Sequence, residues 1–141
     1  MRVEISVESV DGVRVAARAG AARVELYAGL SDGGLTPSAA LIEAAAELAE
    51  VHVLVRPRPG DFHYSRDEVD LVVRDIAAAR RRGAAGVVVG ALAGDGTVAD
   101  DLPGSSTPPR DWRRRSTAPS TSARTPVRPW TGWRTWVSRG C

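Results

Sequence analysis

The chain has 141 residues, a formal net charge of +2 and a single cysteine, the last residue, Cys141. That length suits about one domain with its own core and falls short of the roughly 250 residues of a complete (β/α)8 barrel, while one cysteine excludes a disulfide framework or a cysteine zinc cluster. No apolar run approaches a membrane span and the first residues lack the apolar block of a secretory signal, so a cytoplasmic chain is expected.

The net charge averages two unlike segments. Residues 1–100 hold 11 arginines against 15 acidic residues, residues 101–141 hold eight arginines against Asp101 and Asp111, and lysine is absent. The chain therefore divides into a β/α region, 1–100, and a basic tail, 101–141.

Alternation from Val3 to Val7 predicts a strand, and Val10, Val13, Ala16 and Ala17 then follow helical spacing up to a stop at Gly20. Arg23 to Tyr27 reads as a second strand. The stretch Gly33-Gly34-Leu35-Thr36-Pro37-Ser38 follows as a turn into a helix from Pro37 to Glu50, with Thr36 as N-cap and Pro37 in the first helical turn. A glycine loop running into a helix N-terminus can present backbone N–H groups to an anion. Val51 to Pro57 gives a third strand, residues 58–65 a loop, and residues 66–83 a helix with Val69, Val72, Val73 and Ile76 on one face. Asp67 and Glu68 in its first turn and Arg80 to Arg82 in its last complement the helix dipole. Gly86 to Gly90 is a fourth strand. Strands separated by helices imply parallel pairing with right-handed crossovers, which fits a flavodoxin-like open sheet or a half barrel equally.

One strand face is polar: Glu4 and Ser6, then Arg23, Glu25 and Tyr27, then Arg56. Parallel strands covered on both sides are normally near-continuous Val, Ile and Leu, so this face suggests a lined cavity. A structural ion network of Glu4, Arg23, Glu25 and Arg56 is the other use of the same residues.

The stretches RVELYAGLSDGGLTPS, VRPRPGDFHYS and GVVVGALAGDG, in this order and spacing, resemble the CutC copper homeostasis family from Val3 to about Asp100. The resemblance implies the N-terminal half of a TIM-type α/β barrel, with about four parallel strands and three helices, a cytosolic and often oligomeric protein, and copper as the associated ion. The glycine loop would then be a βα loop at the barrel mouth. Ser6 and Tyr27 stand where the family usually has cysteine. Copper(I) prefers thiolate and thioether donors, so no metal ligand is assigned. His52, within a strand, and His63, in a loop, read as structural or solvated.

A second function class is a barrel enzyme acting on a small anionic metabolite. Arg23, Arg56 and Arg58, with Gly33, Gly34 and Thr36, would bind the anion. Glu4 or Glu25 would be the base and Asp61 or Tyr64 the acid.

The tail carries all four tryptophans, Trp112, Trp130, Trp133 and Trp136, and almost no aliphatics, which predicts disorder. Its arginines and tryptophans also suit single-stranded nucleic acid, a minor reading. Trp has one codon, TGG, so a frame taken one base earlier converts each Trp into a codon ending in TG, for Leu, Val or Met. Arg115 to Thr121 can then spell Phe-His-Arg-Ala-Phe-Asp, which resembles the next part of CutC. A frameshift near residue 100 is therefore expected. Four strands without their continuation would leave open sheet edges, which favour self-association.

Overall fold

The structure, a computed structural model, describes residues 2–97 and the strand Arg113–Ser116. Nine elements follow one another: β1 Glu4–Val7, α1 Val10–Arg18, β2 Arg23–Leu26, a 3-10 turn Leu30–Asp32, α2 Ala39–Ala46, β3 Val51–Val55, α3 Arg66–Arg81, β4 Gly86–Val89 and β5 Arg113–Ser116. The strands form one parallel sheet in the sequential order β1-β2-β3-β4-β5. A doubly wound sheet reverses its order at a switch point and carries helices on both faces. Here the order never reverses, and α1, α2 and α3 contribute to a single core, so the architecture is part of a TIM-type barrel.

Residues in register on neighbouring parallel strands share a face. Val7 and Leu26 are in register, as are Leu26 and Val53, Val53 and Val87, and Val55 and Val89. All join Val13 and Ala16 of α1, Ile42 and Ala45 of α2, and Val72 and Ala79 of α3 in the core. The opposite face carries Glu4 with Arg23, Ser6 with Glu25 and His52, and Leu54 with Val88. This is the polar face of the first strands, and it becomes apolar and buried towards β4.

Local chemistry explains the helix ends. Ser9 caps α1 by accepting from the Gly12 amide at 3.1 Å. Ser65 and Glu68 form a reciprocal capping box at the start of α3. The N-cap of α2 is Ser38 rather than Thr36, with the Leu41 amide donating to Ser38 Oγ at 3.2 Å, and α2 is shorter than the expected helix from Pro37 to Glu50. Thr36 is diverted because its hydroxyl and amide bind the backbone of Arg56.

The tail was expected to be free of regular structure, yet Arg113–Ser116 pairs in parallel with β4. Strand pairing uses only main-chain N–H and C=O groups, so an edge strand can recruit a segment of almost any composition. The tryptophans, Cys141 and the other tail residues lie outside the described residues. Among the described residues, no helix is long and apolar enough to cross a membrane.

Candidate functional site

Ser6, Glu25, Tyr27, Leu30, Gly33, Gly34 and Leu54 line a concavity of about 240 Å3. Ser6 and Glu25 come from adjacent register positions, Tyr27 lies just beyond the end of β2, and Leu54 comes from β3. Gly33 and Gly34 contribute the loop side of its lining. Gly34 has φ +88°, and a Cβ there would lie 2.8 Å from Leu54 Cδ2; Gly33 has φ +80°, and a Cβ there would lie 3.1 Å from an Arg56 Nη1. Both positions need the left-handed conformation and the close approach that only glycine supplies without strain.

The Glu25 carboxyl is raised above its ordinary value by burial. The Tyr27 phenol is raised by burial and then by the negative charges of Glu8 and Glu25. Glu8 is held at this end of the sheet by the Leu30 amide, which donates to its Oε2 at 3.3 Å.

The expected anion donors are committed elsewhere. Arg56 is buried beneath the glycine loop, and its Nη1 donates to the carbonyls of Asp32 at 2.8 Å and Gly34 at 3.1 Å, while Nη2 donates to Gly60 at 2.7 Å. Its guanidinium also stacks on Phe62 at 4.8 Å. The Gly33 and Gly34 amides donate to the carbonyls of Leu30 and Gly29. These two amides are thus engaged within the loop itself.

Arg58 organises the following loop. It pairs with Glu68, donates to Asp61 Oδ1 at 3.2 Å and to the His63 carbonyl at 2.7 Å, and stacks on Tyr64 at 5.4 Å. The Asp61 carboxyl is held below its ordinary value by the His63 amide and by Arg58, the wrong direction for a general acid near neutrality. Burial, partly offset by Arg56 and Arg58, raises the Tyr64 phenol. Neither Asp61 nor Tyr64 lines the concavity.

Glu4 and Arg23 pair with each other two register positions before Ser6 and Glu25, on the same face, and neither lines the concavity. Of the four residues of the expected ion network, Glu4 and Arg23 form an ion pair, while the Arg56 guanidinium donates to backbone carbonyls. His52 is buried, with Nε2 at 3.9 Å from Glu50 Oε1, and His63 is exposed. Among the described residues no cluster of three or more His, Cys, Asp or Glu side chains could hold a metal ion. Sequence reasoning missed Leu30 and Leu54 as lining residues and Phe62 as the Arg56 platform. The Ser65-x-x-Glu68 spacing was the available signal for Glu68.

The CutC family model matches residues 1–105. The chain belongs to the CutC family. It is 50% identical over 99 residues to a CutC family protein of Agrobacterium fabrum and 51% identical over 98 residues to one of Mesorhizobium japonicum, covering 70% and 68% of this chain. It spans only 39% and 38% of the length of those CutC relatives. A Streptococcus agalactiae structure described as a copper homeostasis protein CutC superposes with a TM-score of 0.70 at 24% identity, covering 83% of this chain and 59% of that one. The CutC fold therefore agrees with the sequential sheet, and the concavity sits at the strand ends where barrels of this type place their sites.

Proposed function

We propose that this chain supplies the N-terminal β/α units of a cytoplasmic CutC-type barrel linked to copper homeostasis, and that its contribution is the concavity between β1, β2 and β3 rather than thiolate coordination of copper(I). The family membership and the neighbour's description support the copper link. One observation carries the second half: Ser6 and Tyr27 line the same concavity and offer a hydroxyl and a phenol, poor donors for copper(I).

Two measurements test this. Deleting the gene should alter copper tolerance, and re-expression should restore it; unchanged tolerance removes the copper link. In a competition titration with a chromophoric copper(I) chelator, the 141-residue chain should bind no more tightly than its Ser6→Ala, Tyr27→Phe variant. The Ser6→Cys, Tyr27→Cys variant should gain affinity. Wild-type binding well above the Ser6→Ala, Tyr27→Phe control overturns the reading that these two side chains do not hold copper(I).

The frameshift belongs to the same proposal. It is supported by a family match that ends at residue 105 and by the partial span of the relatives. Resequencing codons 95 to 105 should reveal a single-base indel, with an alternative frame that continues into further β/α units and covers the sheet edge. An early stop in that frame counts against it.

The enzyme reading keeps its pocket and, in Glu25, its base. Its anion donors are engaged in part within the fold, Arg23 with Glu4, the Arg56 Nη atoms with three carbonyls, Arg58 with Glu68 and the glycine amides with loop carbonyls, which weighs against it.

A further inference from the structure

Glu25 is set apart from the other ionic side chains of the polar face. Glu4 has Arg23, while Arg56 has three carbonyls and Phe62. Glu25 lines the concavity without a hydrogen bond or ion pair among the described residues. A carboxylate partly removed from water is costly unless a donor or cation reaches it. The surrounding chemistry limits what that group can be.

Anions are disfavoured, since among the described residues no guanidinium lines the concavity and Glu8 adds a second negative charge beside Tyr27. Hard metal ions ask for several oxygen ligands, carboxylates prominent among them; Glu8 accepts from the Leu30 amide at 3.3 Å, and among the described residues no group of three or more His, Cys, Asp or Glu side chains could hold such an ion. The remaining walls are Leu30, Leu54, the Tyr27 ring and glycine backbone, which suit a short hydrocarbon body. At about 240 Å3 the space is smaller than drug-sized pockets and fits a small metabolite.

We infer that the concavity between β1, β2 and β3 binds a small organic cation of the primary-amine class, its ammonium held by the Glu25 carboxylate and its carbon chain laid against Tyr27, Leu30 and Leu54. Ser6, in register with Glu25, adds a hydroxyl that can accept from the same ammonium. This inference rests on the concavity being the functional site of the barrel and deepens that reading by naming the ligand class.

The test uses three probes of similar size on the 141-residue chain, n-butylammonium, 1-butanol and butyrate, followed by chemical-shift titration of Tyr27 and Leu54. A charge-assisted bond predicts that n-butylammonium binds about tenfold or more tighter than 1-butanol, with butyrate weakest. Glu25→Gln should abolish the preference for the ammonium, Glu25→Asp should retain it in large part, and Ser6→Ala should weaken binding without inverting the order. Butyrate binding as well as n-butylammonium, an unchanged preference in Glu25→Gln, or no perturbation by any probe overturns the inference. Gene-dependent copper tolerance without amine selectivity overturns the ligand class alone, and amine selectivity without copper dependence overturns the copper link alone.

Discussion

The Arg56 amide donates to Thr36 Oγ1 at 2.9 Å, while the Thr36 amide and hydroxyl donate back to the Arg56 carbonyl at 3.0 and 3.1 Å. This reciprocal clamp joins the end of β3 to the glycine loop and fixes the wall that Gly33 and Gly34 contribute to the concavity.

Thr36→Val keeps the shape and removes the hydroxyl, leaving a part-buried amide unsatisfied. A loss of about 1 to 3 kcal/mol is expected, read from urea unfolding midpoints, with Thr36→Ser close to wild type. A Thr36→Val variant as stable as wild type would mean that the hydroxyl half of the clamp contributes nothing.

Arg56→Lys tests whether charge or fork geometry matters. A lysine ammonium cannot reproduce donation to Asp32, Gly34 and Gly60 together with stacking on Phe62. The substitution should destabilise by about 2 to 3 kcal/mol and increase protease cleavage around residues 29–35. Full retention of stability would show that positive charge alone suffices.

Gly34→Ala places a methyl group 2.8 Å from Leu54 Cδ2 at φ +88°. The left-handed conformation alone costs about 1 to 2 kcal/mol, and the clash adds to it. Combining it with Leu54→Ala should remove the excess attributable to the clash and leave the backbone term, a coupling that a double-mutant cycle measures.

Two sets of carboxyls give opposite pH dependences. Glu25 and Asp75 are raised, chiefly by burial, so between their ordinary and raised values the native state binds more protons and stability falls as pH rises. Asp61 and Glu68 are lowered, Asp61 first by the His63 amide and Glu68 first by Arg58. Their contribution is complete above the ordinary values and is lost as pH falls through the lowered ones. Glu25→Gln should therefore flatten the loss of stability on the rising side, and Arg58→Gln the loss on the acid side. Unfolding midpoints across pH would separate them; identical profiles for both variants would contradict the assignment.

The alternation of strands and helices, their parallel pairing and the polar strand face were legible in the sequence, because periodicity and capping chemistry act over a few residues. Glycine at 33 and 34 was likewise readable as a loop signal. Three outcomes needed the tertiary structure: the unreversed sheet order that selects the barrel over an open doubly wound sheet, the isolation of Glu25, and the fate of the arginines. Arg56 reaches carbonyls 22 and 24 positions earlier in the chain, and Arg23 meets Glu4 across 19. Sequence supplies the donors, but which acceptors they meet depends on how loops from different β/α units are brought together. An arginine on a polar strand face reads the same whether it awaits a ligand or holds a loop, and only the positions of the neighbouring carbonyls distinguish the two.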